Sequence, residues 1–168
     1  YSIAIQFGAI LAILLLYRHR VWSAVRGLVG ADTDGRAFLI RLVVAFLPAA
    51  LVGVVAGDAM KSALFGPIPV TIAWLVGGVV LLVWKPTVGA VALHEMPIRS
   101  AVIIGCAQSL ALWPGVSRSL VTLIAALAVG LSMSAAIEFS FLLGLVTLSS
   151  ATALDLTKHG SELVDQFG

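Results

Sequence analysis

Charge is scarce in this sequence. Only 11% of its 168 residues are Asp, Glu, Lys or Arg, against about 25% in an ordinary soluble domain. With 61% hydrophobic residues and a mean hydropathy of +1.12, the chain reads as a membrane protein. Cysteine is nearly absent as well. Cys106 stands alone inside an apolar run, which excludes an intrachain disulfide and a cysteine-based zinc site and leaves packing as its reading. The net charge of +2 and pI near 9.0 do not make a nucleic-acid surface, because the basic residues sit mostly in loops between apolar runs, where they act as topology signals. A secretory leader is also missing in form. The chain opens at Tyr1 inside an apolar stretch, with no Arg-led start and no small-residue cleavage site, so it is expected to continue upstream.

At roughly 20 apolar residues per crossing, what remains allows five or six membrane-embedded segments in one domain spanning residues 1–168. Tyr1 to Tyr17 is a first crossing with Gln6 as its strongly polar side chain. The stretch "RHRVWSAVRGLVGADTDGR" carries four arginines against two aspartates and is placed in the cytoplasm, with a short interfacial helix around Val21 to Val29. Phe38 to Gly57 is the second crossing, with Arg41 able to snorkel and Pro48 as a kink. "DAMKSALFGPIP" is expected to turn the chain, and Pro69 to Trp84 to form the third crossing. "KPTVGAVALHEMPIRS" follows as a cytoplasmic loop. His94 and Glu95 are adjacent there, and on a helix they would point in different directions, so they are read as solvated loop residues and not as metal ligands. Ala135 to Thr157, with Glu138 near its start, is the last crossing before a polar end.

Between these lie two apolar runs, Ala101 to Trp113 and Leu120 to Leu131. At about 1.5 Å per residue neither covers more than roughly 20 Å of a hydrocarbon core near 30 Å thick. One long helix broken at Pro114 and a re-entrant pair over about residues 99–132 both fit. Pro114 disfavours helix at Trp113 and Gly115 permits unusual dihedrals, which favours a true turn.

That turn, "WPGVSRSLVT", holds the residues with chemistry. An isolated membrane arginine often snorkels, and hydroxyls often bond helix carbonyls. Arg118, however, has a dozen apolar residues on either side, and an intramembrane charge calls for a partner. Ser117 and Ser119 precede a helix expected near Leu120, whose free N–H groups and dipole favour an anion. A planar guanidinium with serine hydroxyls at a helix N-terminus suits a phosphate. Thr122 lies one turn beyond Ser119, and Gln108 on the facing run reaches the site if the two runs fold back on each other. A polar anion pocket in a lipid-facing protein implies a substrate with a phosphate head and a lipid tail.

"GCAQSLALWPGVSRSLVTL" followed by "GLSMSAAIEFSFLLG" resembles the signature region of the bacterial undecaprenyl-diphosphate phosphatases, the family associated with bacitracin resistance. The likeness continues through "IQFGAILAI", "FLPAALVGVVAGDAMKSALFGPIPV" and "WLVGGVVLLVW" and covers nearly the whole chain. It implies an all-α, polytopic helical bundle in the bacterial inner membrane, with a re-entrant pair forming part of an inverted repeat. The implied activity removes the terminal phosphate of undecaprenyl diphosphate, recycling the carrier lipid for cell-wall synthesis. Carried over by position, Arg118 binds phosphate and Ser117 and Ser119 orient it as the catalytic residues, and Thr122 lines the pocket, with the nucleophile open; Gln108 and Gly115 join Thr122 as substrate-binding candidates from their own place at the turn. The resemblance implies a divalent cation, Mg²⁺ or Ca²⁺, whose ligands are not in this chain. The partners are a polyprenyl diphosphate and membrane lipids, with a homodimer as a further candidate and no nucleic acid.

Departures accompany the likeness. The family's glutamate-rich segment and Ser-Ser-Thr-Gly-His turn, upstream of the "IQFGAILAI" helix, are not in this sequence. Leu120 replaces a usual glycine and is expected to crowd the turn, Glu138 replaces a usual arginine, and a proline after "FSFLL" is absent. The charge pattern places the loop before the re-entrant pair in the cytoplasm, whereas the family acts at the outer face; a cavity opening outward reconciles the two. A transporter or scramblase for phosphorylated lipids is the alternative from another class, since broken helices also build transporter sites. A non-catalytic remnant that keeps lipid binding is the third reading.

Overall fold

The computed structural model describes residues 2–30 and 32–167, without the side chains of 2–7, 9, 58, 61, 62 and 154–167. Tyr1 and the Gln6 side chain therefore lie outside the described residues. The described chain is helical throughout: α1 Ser2–Leu16, α2 Arg18–Leu28, α3 Thr33–Leu64, α4 Pro67–Val83, α5 Ile98–Ser109, α6 Arg118–Ala128 and α7 Met133–Phe167, with short 3-10 turns at Leu93–Glu95 and Leu110–Leu112.

Among the described residues, two stretches are long and apolar enough to cross a bilayer, Thr33–Gly57 and Met133–Ala153. The sequence stops α3 near Gly57, but the helix continues to Leu64. Ala59, Met60, Lys61, Ala63 and Leu64 are all good helix formers, so the break waits for Gly66, the N-cap of α4, and Pro67 at its first turn. Pro at a helix start gives up only an N–H that has no intrahelical partner. α4 is apolar on every side, and Ala73 is its one buried residue among those described. α2 is the expected short surface helix, begun three residues earlier. Asp32 caps α3: its carboxylate accepts from Gly35 N (3.0 Å) and from the Ser23 hydroxyl of α2 (2.6 Å). Ser23 and Gly35 between them hold the Asp32 carboxyl below its ordinary range.

The core lies where α3, α5, α6 and α7 meet. Ala45, Ile104, Ala126, Phe139 and Leu143 are fully enclosed there, and Phe38 meets Phe139 edge-on at 6.4 Å. α3 and α5 approach so closely that a Cβ on Gly105 would fall 2.3 Å from the Ala45 carbonyl oxygen. Arg41, expected to snorkel, donates instead through Nη2 to the His94 carbonyl (3.1 Å) and so ties α3 to the loop before α5. Glu138 accepts from Arg20 Nε at 2.6 Å, pinning α2 onto α7.

α6 ends in a Schellman motif. Leu131 N bonds Ala126 O (3.2 Å) and Gly130 N bonds Leu127 O (2.9 Å), with Gly130 at φ +92°, the conformation glycine adopts without a Cβ penalty. The loop after α4 is stitched to this corner: Val91 N donates to Gly130 O (3.1 Å), and Ser132 N donates back to Val91 O (2.9 Å).

Candidate functional site

The turn between the two short runs is tight. Val116 N donates to Trp113 O at 3.1 Å, with Pro114 second, and Gly115 third at φ +93°, the pattern of a type II turn. Gly115 is also hemmed in by α4: an added Cβ would lie 3.0 Å from Val70 O and 3.2 Å from Ala73 Cβ. α5 and α6, joined by this turn, pack on one another, and α6 packs on α7. At 12 and 11 residues each is about 16–18 Å long.

α6 starts two residues earlier than the sequence reading places it. Ser117 is the N-cap, its hydroxyl accepting from Leu120 N at 3.4 Å. Arg118 is therefore the first helical residue. Ser119 follows it, with its hydroxyl 3.3 Å from that of Ser117, and both hydroxyls are exposed. Thr122 is 1% exposed and donates its hydroxyl back to the carbonyls of Arg118 (3.0 Å) and Ser119 (3.2 Å), so its proton is held by the helix. Leu120 stands on α6, beyond the turn, and lines an adjoining cleft.

The Arg118 side chain is partly buried, and among the described residues its guanidinium has no carboxylate partner. It lies over α7, where a methyl group at Gly144 would sit 3.6 Å from Nη2. A cation beside apolar helices with no partner for its donors among the described residues has the chemistry to receive an anion, as does the N-terminus of α6.

Polar atoms that the sequence reading passed over line the same face of α7. Ser140, Gly144 and Thr147 recur at helical spacing. Ser140 Oγ is buried without a partner among the described residues, as are Trp113 Nε1 and Gln108 Oε1. Gln108, on α5, is 2% exposed and donates Nε2 to Thr147 Oγ1 at 3.3 Å. The signal was present as Ser-x-x-x-Gly-x-x-Thr within an apolar helix, but only the packing of α5 and α6 against α7 gives it meaning.

An apolar cleft of about 780 Å³ opens beside this group, between α4 and the α5–α6 hairpin. Ile72, Val76, Leu110, Val121 and Ile124 wall it, and Ser117 and Gly115 stand at its polar edge. The residues present do not suit a divalent cation. Such ions take carboxylate and carbonyl oxygens, whereas the turn offers a guanidinium and two serine hydroxyls, and no three His, Cys, Asp or Glu side chains gather among the described residues. His94 and Glu95, at 4.0 Å, are an exposed pair in the loop.

Residues 1–167 match the family model described as bacitracin resistance protein BacA. Among relatives, the undecaprenyl-diphosphatase of Sorangium cellulosum is 43% identical over 99% of this chain and 56% of its own length. That of Sphingopyxis alaskensis is 44% identical over 94% of this chain and 60% of its own. That of Bradyrhizobium diazoefficiens is 42% identical over all of this chain and 64% of its own. The chain thus spans about 56–64% of the length of these curated relatives.

Proposed function

Because the chain belongs to the bacitracin resistance protein family, we propose that the full-length protein is an undecaprenyl-diphosphate phosphatase, and that residues 1–168 supply its phosphate-binding half. The observation that carries this is Arg118, a cation with no carboxylate partner among the described residues at the N-terminus of α6, next in the chain to Ser117, which lines an apolar cleft of about 780 Å³. A phosphate seated there meets the guanidinium and the exposed hydroxyls of Ser117 and Ser119, while the hydrocarbon tail lies along α4 and the hairpin. Gly115 keeps the turn close enough to α4 for head and tail to be held together. Gln108 contacts the head group from α5. Thr122 supports the site by bracing the first turn of α6.

In the reaction water adds to the terminal phosphorus and the bond to the bridging oxygen breaks, giving lipid monophosphate and inorganic phosphate. Phosphoryl transfer depends chiefly on positioning and on neutralising charge on the non-bridging oxygens, and Arg118 with the helix N-terminus supplies that. The described residues do not suit a divalent cation, so no step is assigned to one. Two helices of 12 and 11 residues, too short to span and reversed by a type II turn, support a re-entrant pair, within a multi-pass protein of the bacterial inner membrane. The proposal extends to an inverted repeat completed by the rest of the protein and to a homodimer.

The test is inorganic phosphate release from a long-chain polyprenyl diphosphate by the full-length protein in detergent. Arg118→Ala should lower release by about 10²–10³-fold, the cost of losing one preorganised charge-stabilising group. Undiminished release by this variant would remove Arg118 from the site. No release by folded parent protein supplied with divalent cations would overturn the enzyme reading in favour of lipid transport, to be measured by flux across vesicles.

A further inference from the structure

Gln108 and Thr147 carry an orientation argument that the phosphatase reading does not use. Thr147 Oγ1 lies 2.8 Å from the carbonyl oxygen of Leu143. A carbonyl only accepts, and at 2.8 Å it holds the one hydroxyl proton of Thr147 far more closely than Gln108 does at 3.3 Å. Towards Gln108 Thr147 therefore accepts, from the amide nitrogen. The amide nitrogen is the only donor on a glutamine side chain, so it must be the end facing Thr147, and the carbonyl oxygen must face away. The chain of bonds from Leu143 O through Thr147 to Gln108 leaves one amide orientation, with Oε1 buried and without a donor among the described residues.

The place of that oxygen gives it a use. Thr147 is three residues along α7 from Gly144, the residue over which the Arg118 guanidinium lies. Ser140, a further turn back, holds another buried hydroxyl without a partner among the described residues. The phosphate oxygens that Arg118 attracts are acceptors and cannot satisfy Gln108 Oε1. An O–H group can.

Resting on the phosphatase reading, we propose that Gln108 Oε1 is a fixed acceptor for a hydroxyl at the phosphate, carried either by a protonated phosphate oxygen or by the attacking water, and that Thr147 is the positioning residue that fixes it. An amide oxygen takes no proton at neutral pH, so its part is to aim the O–H. The neutral acceptor also discriminates: it favours a phosphate that retains a proton over a fully ionised one, which a second cation in its place would not do.

The experiment uses the full-length protein and phosphate release, with Thr147→Val, Thr147→Ser, Gln108→Leu and the Thr147→Val/Gln108→Leu double variant. Valine keeps the shape of threonine but not the acceptor, whereas serine keeps the acceptor. Thr147→Val should lose about tenfold in kcat/KM, the scale of one buried hydrogen bond, Thr147→Ser should recover most of it, and Thr147→Val should cost nothing further beside Gln108→Leu. A loss confined to kcat identifies the water. A rise in KM with weaker inhibition by inorganic phosphate identifies the phosphate hydroxyl. Parent-like kinetics in Thr147→Val, or equal losses in Thr147→Ser and Thr147→Val, would overturn the proposal while leaving the phosphatase standing. Absence of release by the parent, or release indifferent to Arg118→Ala, would instead overturn the reading beneath it.

Discussion

Gly115 and Gly130 have nearly the same backbone conformation, φ +93° and +92°, in different surroundings, and the pair isolates how firmly α4 presses on the turn. Alanine at either position pays about 1–2 kcal/mol for the left-handed conformation, partly offset by about 0.4–1 kcal/mol from a stiffer unfolded chain. At Gly130 nothing more is added, since the new Cβ meets only Val91 Cγ2 at 3.9 Å. At Gly115 it meets Val70 O at 3.0 Å, Val70 Cγ1 at 3.1 Å and Ala73 Cβ at 3.2 Å. Two of those atoms belong to side chains and one to the α4 backbone, so α4 must shift by a few tenths of an ångström. Crowding of that kind costs about 1–3 kcal/mol. Gly130→Ala is therefore expected to lose about 1 kcal/mol and Gly115→Ala about 2–4 kcal/mol. Thermal unfolding in detergent, read by tryptophan fluorescence, should show the difference as several degrees, at about 2–4 °C per kcal/mol for a chain of this size. Phosphate release should fall in Gly115→Ala alone, because only that turn carries Ser117 and Arg118. Equal midpoints for the two variants would refute the claim that α4 buttresses the turn.

Gly105→Ala should be severely damaging, because its Cβ would lie 2.3 Å from a backbone oxygen of α3; a loss above about 3 kcal/mol is expected, seen as poor recovery of folded protein, and normal yield would contradict the α3–α5 contact. Reversing the Arg20–Glu138 pair in a double variant should restore most of what either single reversal loses, and each loss should be about 1 kcal/mol or less because Arg20 is substantially exposed; thermal midpoints at low and high salt test both statements. The Asp32 carboxyl titrates below its ordinary value of 3.8 in the folded chain, so it contributes stability above that value and loses the contribution as pH falls through the lower folded one. Asp32→Asn should flatten that acid limb in a pH series of unfolding midpoints, and an unchanged limb would count against the cap.

The apolar runs were legible because composition dominates: helices α3, α4 and α7 fall on the stretches that hydropathy picks out. Their ends were less so. The continuation of α3 past Gly57 depends on helix propensity winning where polar residues suggest a turn, and the start of α6 depends on a serine hydroxyl that reaches Leu120 N. Pro114 and Gly115 announced the turn itself, because their constraints are local. The role of Thr147 was illegible for the opposite reason. A threonine in a membrane helix ordinarily returns its hydroxyl to the backbone, and this one does; what matters is the glutamine that packing brings to its remaining lone pair.

The stitched corner at Gly130 makes α6 a lever. Its far end is clamped, by the Schellman motif within the helix and by Val91 on both sides of Leu131, while its near end leads from a turn that meets α4 at Gly115. With an arm of about 16 Å, a tilt of roughly 10° about the clamp swings Arg118 by roughly 3 Å, about the length of one hydrogen bond. On the proposed phosphate-binding role of Arg118, a small rotation of one short helix would be enough to grip and release the anion, with its fulcrum at the opposite end from the chemistry.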